Sequence, residues 1–255
     1  MSIDTHCHLD FGQFDRDRDA VIKRAREAGV EYLINVGSNL DGSRESVKLA
    51  QEYGNIFASV GIHPHHADNV DGDMLAEIEA LAADKKVVAI GEVGLDYFRS
   101  PSPAEKQKES FIKFIELAER LGLPLIIHNR DAHRDTLDIL KKTRGSAVSG
   151  VMHCFSGDRK VLSETLELGL HVSFTCNLTF KNSKKLRETA RAVPKDRLLL
   201  ETDAPFLAPQ SCRGRRNEPA YITELRDLLS ELLNLSKKEL ETVTTENAKR
   251  LFGIK

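Results

Sequence analysis

The 255-residue chain has no tryptophan, and aromatic side chains make up only 6% of it, so any stacking surface must be built from few rings. Cysteine is equally sparse. Cys7, Cys154, Cys176 and Cys212 are scattered, with no C-x-x-C pair among them. Free thiols in a reducing, cytoplasmic compartment are the simplest expectation. No apolar run approaches the roughly 20 residues that a membrane helix needs. No basic stretch followed by an apolar one opens the sequence, so no secretory leader is expected. Charge of neither sign dominates: the net charge is −2, and a nucleic-acid partner would have to be recognised by local clusters. No G-x-G-x-x-G follows an early strand, which argues against a doubly wound dinucleotide-binding sheet.

What is present is a regular alternation. Apolar, β-branched runs predict strands at Ser2–Thr5, Tyr32–Val36, Ile56–Gly61, Val87–Gly91, Pro124–His128, Val148–His153, Leu170–Ser173 and Leu198–Glu201. Amphipathic patterns lie between them. In Ala104–Leu121, Phe111, Ile112, Ile115 and Ala118 share one face, with Pro103 before the segment and Gly122 after it as start and stop signals. The Pro219–Phe252 region predicts helices that close the fold. Strands alternating with helices across short connections predict parallel β structure. Eight such units in roughly 250 residues fit a (β/α)8 TIM barrel, an α/β fold, as a single domain over residues 1–255.

The chemically unusual side chains fall at the ends of these strands. His6 and His8 follow the first, His63, His65 and His66 the third, and Glu92 the fourth. His128 and His153 end the fifth and sixth, and Asp203 lies past the eighth. In a barrel all would project from the C-terminal rim, where barrel active sites are built. Alternation along a strand turns His6 and His8 together and Cys7 away, which favours a two-imidazole metal clip over a Cys/His nucleophile pair. The same alternation points His153 to the mouth and Cys154 to the helical shell. Each residue alone has an ordinary explanation: a satisfied core histidine, a buried ion pair for Glu92, a turn aspartate before Pro205. All of these would have to hold at once at five strand ends, and that coincidence favours a metal centre.

The segments DTHCHLD, VGIHPHHA, AIGEVGLDYF, IIHNRDAH, MHCFSGD, LLLETDAPFLAP and RGRRNEP, in this order from Asp4 to about Phe252, closely resemble the TatD-type metal-dependent deoxyribonucleases of the amidohydrolase superfamily. The resemblance implies a barrel hydrolase holding two divalent ions, zinc, magnesium or manganese. It implies that His6, His8, Glu92 and Asp203 hold one ion and that Glu92, His128 and His153 hold the other, with Glu92 bridging. Two neighbouring ions polarise a phosphoryl oxygen and lower the pKa of bound water to about 7. Asp203 would also take the proton from that water, making Asp203 and Glu92 the catalytic carboxylates. Asp4 shares the facing of the two histidines and either orients a ligand or is merely a polar strand start. The chain departs from the pattern after the seventh strand, where Thr175 and Cys176 replace a Ser-Gly-like turn.

On the substrate side, the resemblance implies that His63 and His65 bind phosphate oxygens, with His66 a loop residue. Arg130 suits bidentate phosphate contact, against an ion pair with Asp131 or Asp135. Arg213, Arg215, Arg216, Lys181, Lys184 and Lys185 are either a track for a nucleic-acid backbone or a solvated face. Tyr97, Phe98, Phe155 and Phe180 are candidates for base stacking, with core packing the competing role. The reading that results is a metal-dependent DNA phosphodiesterase of exodeoxyribonuclease type, acting on DNA through local basic loops, with no membrane and no obligate protein partner evident. An amidohydrolase-type enzyme acting on a small ester, lactone or amide is the alternative, and a non-catalytic metal-binding barrel a further one.

Overall fold

The apolar runs of the sequence become eight parallel strands, each followed by a helix packed on the outside of the sheet. The computed structural model describes residues 1–99, 101–144 and 149–255. In chain order the elements are β1 (Ser2–Cys7), α1 (Arg18–Glu27), β2 (Val30–Val36), α2 (Leu40–Glu52), β3 (Ile56–Val60), α3 (Gly72–Ala82), β4 (Val87–Asp96), α4 (Ala104–Leu121), β5 (Leu125–Arg130), α5 (His133–Arg144), β6 (Gly150–Met152), α6 (Arg159–Glu167), β7 (His171–Phe174), α7 (Lys184–Ala190), β8 (Leu198–Leu200), α8 (Ile222–Leu232) and α9 (Lys237–Phe252). The strands pair in sequence order. This is the (β/α)8 barrel expected from the alternation.

Closure between β8 and β1 rests on a few contacts. Cys7 forms a parallel bridge with Ala204, and Asp203 N donates to His6 O at 2.8 Å. The buried Asp4 carboxylate accepts from the Thr202 hydroxyl at 2.6 Å and from Thr202 N at 2.9 Å. Asp4 thus ties the first strand to the segment carrying Asp203 and does not touch the imidazole rings directly.

α4 spans the predicted residues, with Gly122 in the left-handed conformation (φ 67°) just beyond it. Its inner face buries Phe111, Phe114 and Ile115 fully, each worth about 1.5–3 kcal/mol relative to exposure. α9 opens on a capping box between Ser236 and Glu239. Its Asn247 side chain donates to Leu198 O at 2.9 Å, and its Ala248 and Phe252 pack with Ile34, Ile126, Val151 and Leu199. Leu198 begins β8, so α9 covers the N-terminal end of the strands and leaves the C-terminal mouth open.

Several predicted ends are corrected. β4 does not stop at Gly91 but runs to Asp96, placing Glu92 inside the strand. The glycines are sites of close approach to β5. A Cβ on Gly91 (φ 155°) would meet Ile126 O at 2.6 Å, and one on Gly94 (φ 141°) would meet His128 O at 2.0 Å. The β4–β5 register shifts between Ile90 and Val93, across Glu92. β5 continues two residues past His128, while β6 ends one residue before His153. The predicted start of the sixth strand, Val148, lies outside the described residues.

Candidate metal centre

His6, His8, Glu92, His128, His153 and Asp203 meet at the C-terminal mouth. His6 is held by β1 and His8 follows it, with their Nε2 atoms 3.1 Å apart. Asp203 Oδ1 lies 3.8 Å from His6 Nε2 and 3.5 Å from His8 Nε2. Asp203 occupies a left-handed turn (φ 57°), a conformation in which aspartate is enriched. Glu92 faces both halves of the cluster. Its Oε2 is 3.6 Å from His6 Nε2 and 3.9 Å from His8 Nε2. Its Oε1 is 2.6 Å from His128 Nδ1, 2.7 Å from His153 Nε2 and 3.7 Å from His63 Nε2.

The rings are fixed from behind. His8 Nδ1 meets Val36 O at 2.7 Å, which leaves Nε2 facing inward. His128 Nε2 lies 3.1 Å from Asp96 Oδ2, and His153 Nδ1 lies 3.4 Å from Glu201 Oε1. Both carboxylates are themselves anchored: Asp96 Oδ1 accepts from Phe98 N and Arg99 N, and Glu201 accepts from Cys154 N and the Ser173 hydroxyl. Hydrogen-bonded to His128, Asp96 fixes the tautomer of that ring and increases its basicity as a ligand, whereas His153 Nδ1 makes no hydrogen bond and meets Glu201 only at ion-pair range. Neither Asp96 nor Glu201 was singled out from the sequence. The signal was the position of each, four residues after Glu92 and two before Asp203, inside segments already marked.

Burial and charge oppose one another throughout the cluster. Burial alone would raise the Glu92 carboxyl, but the surrounding imidazoles of His153, His63 and His128 outweigh it and hold the group well below the ordinary range. Burial would likewise raise Asp203, and the facing histidines, His8 first, hold it down. Burial works against a proton on His8, yet Asp203 outweighs it and pushes this imidazole up to about 9. Buried carboxylates among inward-facing ring nitrogens are donor types that could hold a metal ion. His6 Nδ1 is buried without a hydrogen-bond partner. Among the described residues, His6–His8–Asp203 and His63–Glu92–His128 each bring three donor atoms within 4.8 Å of one another, as do His6–His153–Glu201 and His63–His65–Asp96.

The cluster floors a cavity of about 710 Å³ that also reaches Arg130, Asn177 and Phe206. His63 Nδ1 accepts from His65 N at 3.1 Å, so a neutral ring carries its proton on Nε2, and burial holds this imidazole well below its usual value. His63 therefore presents an N–H to the cavity. His65 Nε2 is taken by Asp96 at 2.9 Å, and His66 is exposed at the rim. The Arg130 guanidinium lies over the Phe98 ring at 4.0 Å, while Asp135 accepts from Tyr97 and pairs with Lys108.

The other sequence candidates divide. Cys7 faces away from the centre and meets Ile34 O. Cys154 does not face the helical shell; it lines the cavity. β6 has ended before it, and its left-handed turn (φ 45°) cancels strand alternation. Arg216 is held by Asp17 at 2.7 Å and over the Phe14 ring, whereas Arg213, Arg215, Lys181, Lys184 and Lys185 are exposed. Phe155 is core, and Phe180 lies under the Arg213 guanidinium. Thr175 and Cys176 enter a short 3-10 turn over Cys176–Thr179.

Comparison with known proteins agrees with this architecture. The family model described as TatD related DNase matches residues 3–253. The chain is 45% identical over 254 residues to "Uncharacterized metal-dependent hydrolase YabD" of Bacillus subtilis (strain 168), covering 100% of both chains. It is 37% identical over 258 residues to "3'-5' ssDNA/RNA exonuclease TatD" of Klebsiella pneumoniae (strain 342), covering 98% of this chain and 97% of that protein. The crystal structure of YJJV, a TatD homolog from Escherichia coli K12, superposes with a TM-score of 0.92 at 30% identity, covering 100% of this chain and 98% of that one. With the match spanning nearly every residue and the fold shared throughout, this chain belongs to the TatD-related DNase family.

Proposed function

We propose that this protein is a divalent-metal-dependent phosphodiesterase that removes nucleotides from the end of a nucleic-acid strand, with DNA as its substrate. One observation carries the reading: Glu92 turns one carboxylate oxygen to His6 and His8 and the other to His128 and His153, in the floor of an open cavity. In this reading His6, His8, Asp203 and Glu92 hold one ion, and Glu92, His128 and His153 hold the second. Zinc, magnesium and manganese all suit a mixed imidazole and carboxylate set. Metal held by these residues would supply Lewis-acid polarisation of a phosphoryl oxygen and would make a nearby water more acidic.

The chain's own residues supply the rest. Asp203, kept ionised, takes the proton of the attacking water. His63 donates its Nε2–H to a phosphoryl oxygen beside Glu92, and Arg130 pairs with phosphate from the end of β5. His65 reaches the phosphate only from a ring already held by Asp96. The exposed Arg213, Arg215, Lys181, Lys184 and Lys185 follow β7 and β8 on the same rim and track the strand beyond the cavity. Relatives named 3'-5' ssDNA/RNA exonuclease support a strand end as the site of attack.

Residues 1–255 act as one domain in this proposal. Four unpaired thiols suit a reducing cytoplasm, and no described helix is long and apolar enough to cross a membrane. The test is purified protein reconstituted with Mg, Mn or Zn and offered labelled single- and double-stranded DNA beside an ester, lactone and amide panel. Metal-dependent release of nucleotides from DNA is expected. Turnover of the small substrates with none on DNA would overturn the nuclease assignment. Bound metal without turnover of any substrate would make the barrel a binding module.

A further inference from the structure

Phe206 is 46% exposed, yet its backbone is among the more firmly held parts of the mouth. The fully buried Asn217 side chain donates to Phe206 O at 2.6 Å and to Thr202 O at 2.9 Å, while Asn217 N donates to Pro205 O at 3.0 Å. Phe206 N donates back to Asp203 O at 2.8 Å. The ring stands edge-on to Phe11 at 5.9 Å and to His8 at 6.2 Å between centroids. Phe11 is itself stacked on His8 at 4.7 Å. His8, Phe11 and Phe206 thus form a continuous aromatic wall running from the donor cluster to the lip of the cavity. Phe98, the other strongly exposed phenylalanine among the described residues, already carries the Arg130 guanidinium on its face.

A large apolar ring left half-exposed beside a cluster of ionised groups, on a backbone tied at both its amide and its carbonyl, gains little for folding there. It does offer a flat surface whose backbone needs no ordering when a ligand arrives. We propose that Phe206, backed by Phe11, is the shelf on which the nucleobase of the terminal nucleotide stacks while its phosphodiester lies at Glu92 and Asp203. The inference rests on the nuclease reading above and adds to it the subsite that holds the base. Stacking accepts any base, so this shelf grips a strand end whatever its terminal base, with only a modest preference set by stacking strength. Nucleotides with larger, better-stacking purines at the end are held longer.

The experiment uses the full chain and single-stranded oligonucleotides carrying 2-aminopurine either at the terminal position or well inside the strand, since stacking quenches that base. Rapid mixing with metal-loaded protein reads binding before turnover. Terminal 2-aminopurine is quenched by wild type and by Phe206→Tyr but not by Phe206→Leu, and the internal probe is unchanged by all three. In steady state, Phe206→Leu raises KM for the normal strand about 5- to 150-fold, the range that loss of one base–aromatic stack gives. Its KM and kcat for a strand ending in an abasic nucleotide stay at wild-type values. Equal quenching in wild type and Phe206→Leu, no quenching in wild type, or the same KM rise on normal and abasic ends would each overturn the shelf. Failure of the nuclease reading is distinct: no product forms with any metal, whatever the fluorescence reports.

Discussion

Asp96 Oδ2 stands 3.1 Å behind His128 Nε2, while the opposite nitrogen of the same ring faces Glu92 at 2.6 Å. The imidazole is clamped between two carboxylates, one on each of its ring nitrogens. That of Asp96 fixes which nitrogen is offered to Glu92.

Asp96→Asn is therefore expected to weaken binding of the second ion about 10- to 100-fold, the usual effect of removing such a backing carboxylate. Calorimetric titration with Mn would show one site unchanged and one weakened. Two sites of unaltered affinity would refute the orienting role.

Asp203→Asn keeps the size of the side chain but removes its capacity to accept a proton. The loss in kcat should be about 10²- to 10⁴-fold on a DNA end, with the fold intact by circular dichroism. A variant retaining near wild-type kcat at saturating metal would show that another group takes the proton.

Thr202→Val deletes the hydroxyl that donates to buried Asp4 across the β8–β1 junction. A buried acceptor losing its donor costs about 1–3 kcal/mol, to be read as a lower midpoint in urea unfolding at unchanged slope. An unchanged midpoint would mean that the bridge and the backbone bonds close the barrel without this contact.

His171, at the start of β7, is buried with neither ring nitrogen hydrogen-bonded. Burial, helped by Arg197 and Arg250, lowers its imidazole from 6.5 to about 4. The unfolded chain then binds this proton more readily than the folded one between those values. The contribution of this group to stability is complete above about pH 6.5, falls as the pH drops toward 4, and is lost below that. Thermal melts across this window should decline less steeply with acid in His171→Leu than in wild type. Parallel declines would place the acid sensitivity elsewhere.

The sequence was informative wherever chemistry follows local pattern. Ala104–Leu121 carries its own helix signals at both ends, and the structure keeps those bounds. His6 and His8 share a face because two residues separate equivalent positions on a strand. Pattern failed where the chain leaves regular geometry. Gly91 closes an apolar run yet permits β4 to press on against β5, and Cys154 sits in a left-handed turn where strand alternation no longer applies.

By itself, then, the order of residues determined the eightfold alternation, the placing of reactive side chains at strand ends and the set of histidines and carboxylates gathered there. Only the tertiary structure decided which oxygen of Glu92 faces which ring, which carboxylates stand behind His128 and His153, and that Phe206 is left bare at the lip. The reason is physical. Those relations depend on register shifts between neighbouring strands and on loops tied by distant side chains such as Asn217, and neither is encoded in any short stretch of the chain.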